Sequence, residues 1–181
     1  MEFVDDLNLV VRAQKGDVDA VGALYDAHHQ PIFRYVCSRV GDRLLAEDLT
    51  GEIFTRMVTG LPDFTPTAVP FRAWLYRIAR HLIIDHHRLE NGRIDSALDA
   101  IENSDSESDP PGVIVDQQLT QERIRAALAR IDSAQQEVVI LRFIAGLSLA
   151  ETAQTLDKTV PAVKSLQHRG LTALRAFLEK V

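Results

Sequence analysis

Only one cysteine, Cys37, occurs in the 181 residues, so no intrachain disulfide can staple the fold. Lying among Tyr35, Val36 and Val40, it reads as a small buried hydrophobe rather than a reactive thiol. No apolar run nears the ~18 residues that a membrane span requires; the strongest one, Val138 to Leu141, is cut by Arg142. The first ten residues, MEFVDDLNLV, lack the basic region of a secretory signal. These absences lead to the expectation of a cytoplasmic protein without membrane insertion. Strand-like alternation is also missing, and the β-branched residues fall at helical spacing, so the expected fold class is all-α.

Basic residues are absent from one long stretch. Residues 94–119 hold 7 acidic side chains and no Lys or Arg, with Pro110-Pro111-Gly112 inside a Ser- and Asp-rich context. Such a segment cannot bury enough apolar surface to offset its ordering entropy, and it reads as a flexible acidic linker. The overall charge of -6 is therefore unevenly spread: residues 120–181 carry 9 basic and 6 acidic side chains. An acidic total would argue against nucleic acid as a partner, whereas a basic C-terminal third restores that class. The expected organisation is two small helical bundles, residues 1–93 and 120–181, joined by the linker 94–119.

In the first bundle, Leu7, Val10 and Val11 start a short helix that stops near Gly16. A longer one runs from about Val18 to Val40, with Pro31 as an expected kink or break. Asp42 can cap a third helix in which Leu45, Leu49, Ile53, Met57 and Leu61 recur every four residues. Pro62 follows its end, and Pro70 opens a fourth as a first-turn proline. The second bundle holds QERIRAALARI, DSAQQEVVILRFIAG, SLAETAQTL and VPAVKSLQHRGLTALRAFLEKV as four helices.

The last two of these have the spacing of a helix-turn-helix. Small Ala153 allows two backbones to approach, Asp157 starts the turn where glycine is common, and Val163 faces inward. Val163, Leu166, Gly170, Leu171, Leu174 and Leu178 form the inner face. Lys164, Ser165, His168 and Arg169 fall outward at i, i+1, i+4 and i+5, where Lys and Arg can meet phosphates or guanine edges and Ser and His can hydrogen-bond to backbone or bases.

The third helix carries Asp48, Glu52 and Arg56 at i, i+4 and i+8. On residue chemistry alone this is a solvated face with an i,i+4 ion pair worth ~0.3–0.5 kcal/mol. Gly51 inside that helix costs ~1 kcal/mol against alanine and hints at a close approach. The fourth helix, PFRAWLYRIARHLIIDHHR, has Phe71, Trp74, Leu75, Ile78, Leu82 and Ile83 as its core stripe, and Arg77, Arg80, His81, Ile84 and Arg88 on another side. Trp74 at this spacing fits a core position, although it could also stack on a base. His81 and Asp85 at i, i+4 could share a metal, and Asp85-His86-His87 spells a phosphoesterase triplet. That triplet needs aspartates on strand ends, two ligands do not make a site, and the flanking arginines repel a cation. No metal or other cofactor is expected.

The segments AEDLTGEIF, FRAWLYRIARHLIIDHHR and QQEVVILRFIAGLSLAETAQTLDKTVPAVKSLQHRG, in this order, resemble a bacterial sigma factor of the extracytoplasmic-function (ECF) group. The resemblance spans nearly the whole chain and implies two helical domains, regions two and four, on a linker. It implies core RNA polymerase, through its β′ clamp helices and β flap, as a partner, with Asp48, Leu49, Glu52 and Arg56 against the clamp helices. It implies minus-10 promoter DNA on Trp74, Arg77, Arg80, His81, Asp85 and Arg88, and minus-35 DNA on Lys164, Ser165, His168 and Arg169. Many relatives are also held by an anti-sigma factor. His81 stands where asparagine is common, Leu166 where arginine is frequent, and Gly51 where glutamine is frequent. A protein of this kind catalyses nothing itself. Two rival classes remain open: a helix-turn-helix regulator that binds DNA without polymerase, and an enzyme built on the Asp85-His86-His87 triplet.

Overall fold

The computed structural model describes residues 6–66, 69–96 and 126–179; most of the expected linker, 97–119, lies outside them. Helix α1 (Asp6–Gln14) ends at Gly16, whose φ of 88° reverses the chain. Helix α2 (Val18–Val40) begins where Asp17 accepts from the Ala20 amide, and the Arg12 guanidinium bound to that carboxylate holds its pKa below the usual value. Of the kink or break expected at Pro31, the break does not occur: α2 runs through it. Buried His28 and Ile32 on either side anchor it, and a lost amide bond can be carried by such a packed helix.

Asp42 caps α3 (Arg43–Gly60) as its position foretold, accepting from the Leu45 amide at 3.1 Å. A single 3₁₀ turn, Leu61–Asp63, follows. Helix α4 (Phe71–Ser96) then follows. Leu49, Ile53, Met57 and Leu61 are buried against Phe71, Leu75, Leu82 and Ile83 of α4.

Residues 126–128 are helical. Asp132 then caps α5 (Ser133–Val139), which continues as a π turn over Ile140–Ile144. Helix α6 (Leu149–Thr155) opens with a capping box in which Ser148 and Glu151 satisfy each other's amides. Helix α7 (Val160–Leu178) is capped by Thr159. Each such cap is worth about 1 kcal/mol. Among the described residues all regular structure is helical, and no helix is long and apolar enough to cross a membrane.

Two helical units are present, as expected, and they share an apolar core. Leu128, Ile131, Val139, Ile140, Leu141, Ala145 and Leu147 belong to the same apolar core as Tyr35, Leu75 and Ile83. A smaller cluster of Val138, Ala153 and Val163 holds the helix-turn-helix. The sequence could not show this junction because both units present amphipathic helices, and amphipathicity does not say which apolar face a partner helix covers.

Candidate nucleic-acid and polymerase interfaces

Helix α7 sorts its side chains cleanly. Val163 and Gly170 are buried, while Lys164, Ser165, His168 and Arg169 are all exposed on one face. Gly170 is required there: a Cβ would lie 3.0 Å from Val139 Cγ2 and 3.3 Å from Gln135 Cβ, so α5 and α7 cross in near backbone contact. Leu166 packs on the smaller cluster. Leu171 and Leu178, expected inward, are 40% and 42% exposed, whereas Leu174 packs on the core as expected. The turn before α7 uses Asp157 at φ 51°, the left-handed geometry its position requires.

On α3, Asp48, Glu52 and Arg56 point to solvent, with Arg56 Nε 2.9 Å from Glu52 Oε1. Leu49, expected at a docking surface, is instead 8% exposed and belongs to the core; it lies on the same four-residue stripe as Ile53 and Met57. A Cβ at Gly51 would meet nothing within 4 Å, so this glycine marks no close approach. Leu44 and Val58 are exposed apolar residues at the two ends of that helix, and neither was singled out from the sequence.

The α4 set divides. His81, Asp85 and Arg88 are exposed. Trp74 stacks on Phe64 at 4.5 Å between ring centroids and lies against Gly60, where a Cβ would be 3.2 Å from the indole. It therefore helps close the 3₁₀ turn onto α4 while remaining partly exposed. Arg77 and Arg80 turn toward the second unit. Arg77 Nη2 donates to Asp157 Oδ1 at 2.9 Å and to the Gln154 carbonyl. Arg80 lines a cleft of about 300 Å³ with Arg39, Glu137 and Lys158.

Further contacts join the units. Arg72 Nη2 donates to the Ala145 and Gly146 carbonyls at 3.1 and 3.3 Å. Two α4 arginines thus cap the carboxyl ends of two successive helices, where unpaired carbonyls and the helix dipole favour cations. Thr155 Oγ1 donates to the Ala73 carbonyl at 3.3 Å. Deeper in, Tyr35 Oη donates to Glu137 Oε1 at 2.8 Å while Arg39 Nη2 meets Glu137 Oε2 at 3.0 Å. Burial pushes the Tyr35 phenol well above its usual pKa, and the facing carboxylate adds to the shift. Burial also raises neighbouring Tyr76 to about 12. Among the described residues no three His, Cys, Asp or Glu side chains come together as a metal-binding group.

Residues 24–93 match the family model for Sigma-70 region 2, and residues 127–176 match that for Sigma-70, region 4. The chain is 38% identical over 95% of its length to the ECF RNA polymerase sigma factor BldN of Streptomyces coelicolor, of which it spans 65%. It is 32% identical over 86% of its length to the ECF RNA polymerase sigma factor SigX of Bacillus subtilis, of which it spans 82%. This chain belongs to the ECF RNA polymerase sigma factors. Among solved structures, CnrH in complex with the cytosolic domain of CnrY aligns at a TM-score of 0.75, with 26% identity and 97% of each chain covered. The sigma factor RpoE of Bartonella quintana, in complex with the anti-sigma factor NepR, shares the fold at a TM-score of 0.70, with 87% of this chain and 96% of that one covered.

In this sigma factor the region 2 match runs from within α2 to within α4, and the region 4 match takes in α5, α6 and nearly all of α7. Arg72, Tyr35, Arg39 and Glu137 were not singled out from the sequence. Glu137 left one signal: it is a carboxylate placed directly before the apolar run VVIL, where an inward-facing charge needs a partner. Its partners lie 102 and 98 residues away, so no local pattern names them.

Proposed function

We propose that this sigma factor acts in the cytoplasm, docking on core RNA polymerase and directing initiation by reading two promoter elements. Asp48, Glu52 and Arg56, with Leu44 and Val58, form the α3 surface for the β′ clamp helices; Leu49 supports that surface from beneath. His81, Asp85 and Arg88 of α4, joined by Arg77 and Arg80, meet the minus-10 element. Lys164, Ser165, His168 and Arg169 enter the major groove of the minus-35 element. Exposed Phe143 supplies region 4 with an apolar side chain for the β flap. Neither reading sites nor docking face performs a chemical step; the protein positions the polymerase.

The observation that carries this reading is the division of α7, with four polar or cationic side chains on one open face and a glycine-mediated backbone crossing behind it. That arrangement stiffens a recognition helix and leaves its reading edge free. An anti-sigma factor is a further expected partner, as RpoE of Bartonella quintana is seen with one. A free-standing regulator of the helix-turn-helix type has no use for the polar face of α3. Affinity for purified core polymerase separates the two. Asp48→Arg should weaken core binding about tenfold or more, equivalent to about 1.4 kcal/mol, with an unchanged circular dichroism spectrum. Undiminished binding would refute the α3 assignment.

A further inference from the structure

Arg77 cannot serve a DNA phosphate and the region 4 turn at once. In the closed arrangement its guanidinium donates to Asp157 Oδ1 at 2.9 Å and to the Gln154 carbonyl, and it retains 30% of its side-chain exposure. Arg72 is similarly committed to Ala145, Gly146 and Glu151. Helix α6 therefore covers the side of α4 from which Arg72 and Arg77 project.

Asp157 is an unusual choice for the residue that makes this contact. It is the only non-glycine residue at positive φ among the described residues. Glycine would take that turn without strain, whereas aspartate tolerates it at some cost. Its side chain is 79% exposed, and among the described residues it pairs with Arg77. A carboxylate at the carboxyl end of a helix also opposes the helix dipole unless a cation neutralises it, and Arg77 is that cation.

We propose that Asp157 is a phosphate-mimicking latch: its carboxylate occupies Arg77 in the free chain, adds to the apolar and buried polar contacts that keep region 4 on region 2, and is exchanged for a DNA phosphate when the two regions separate. The pairing is solvent-facing, so it is weakened by salt, and opening is within reach of a competing polyanion or of docking on the polymerase. This inference rests on the reading of α4 as a DNA-contacting helix only for the exchange step; the latch itself is a property of the free chain.

The test uses the full chain with Cys37→Ser, Thr55→Cys and Ala176→Cys, labelled with a donor and acceptor dye, the two new cysteines lying at exposed positions of α3 and α7. At low ionic strength the parent should show one short inter-dye distance, with a longer one growing in as salt is raised. Asp157→Gly, which keeps the turn, should populate the longer distance several-fold more at low salt and lose most of the salt response. Asp157→Asn, which also tolerates the turn, should do the same. Binding of a fluorescein-labelled single-stranded oligodeoxynucleotide of mixed sequence, without polymerase, should strengthen several-fold in both variants. That gain should vanish when Arg77→Ala is added. Distances and salt response identical to the parent's in both variants would overturn the latch. Longer distances without any gain in oligonucleotide binding would uphold the latch and sink the DNA role of α4.

Discussion

Tyr35 and Glu137 meet across 102 residues, phenol to carboxylate at 2.8 Å, at the buried junction of region 2 with region 4. Arg39 closes the other side of the carboxylate at 3.0 Å. A carboxylate 7% exposed is tolerable only with both partners present. Removing it leaves a guanidinium and a phenol without their acceptor. Glu137→Ala should therefore destabilise the closed chain by about 3 kcal/mol, near the low end for a broken buried pair. Urea denaturation followed by circular dichroism measures it. A loss below about 0.5 kcal/mol, the range of surface substitutions, would show that the junction is already open in solution.

The same pair predicts a response to alkali. Tyr35 is held neutral by burial, with its pKa raised above the ordinary value of 10. In the unfolded chain it ionises near that value. Its contribution to stability is thus whole below pH ~10 and is lost as pH rises toward the folded pKa. Tyr76, raised to about 12 by burial, adds a second contribution of the same sign. Tyr35→Phe should make the fall in stability above pH 10 shallower without abolishing it. An unchanged slope would mean that the phenol is exposed.

Two glycines should respond oppositely to alanine. At Gly51 a Cβ meets open space, so Gly51→Ala should stabilise the fold by up to about 1 kcal/mol through helix propensity alone. At Gly170 the same Cβ would press on Val139 and on Gln135. Overpacking of this kind costs about 1–3 kcal/mol, so Gly170→Ala should give no gain, and the bulkier Gly170→Leu a clear loss. Thermal midpoints of the three variants decide the matter. Equal stabilisation at both sites would contradict the close crossing of α5 and α7.

Much of this architecture was legible before any coordinates. Asp42 as a cap, Gly16 as a stop, the four-residue stripe of α3 and the outward set of α7 all follow from local rules acting within one or two turns. Asp157 in a left-handed turn followed from the spacing between Ala153 and Val163. The misreadings share a different cause. Leu49 sits within the family's docking segment, yet its own periodicity places it in the core. For Trp74 the sequence offered a core role and a base-stacking one, and its packing on Phe64, ten residues upstream, was not legible in the local pattern. The closing of region 4 on region 2 depends on Tyr35, Arg39, Arg72 and Arg77 finding partners 73 to 102 residues away. Contacts of that range leave no periodic trace.

Promoter-dependent run-off transcription with purified core polymerase tests the central claim most directly. Added to core and a promoter template, the chain should produce a discrete transcript that core alone does not. Lys164→Ala with Arg169→Ala should lower its yield through the minus-35 element, each lost base contact costing about 1–3 kcal/mol. A transcript of equal yield with the double variant would contradict the reading face of α7, and no transcript from the parent chain at any promoter in its own genome would contradict the account as a whole.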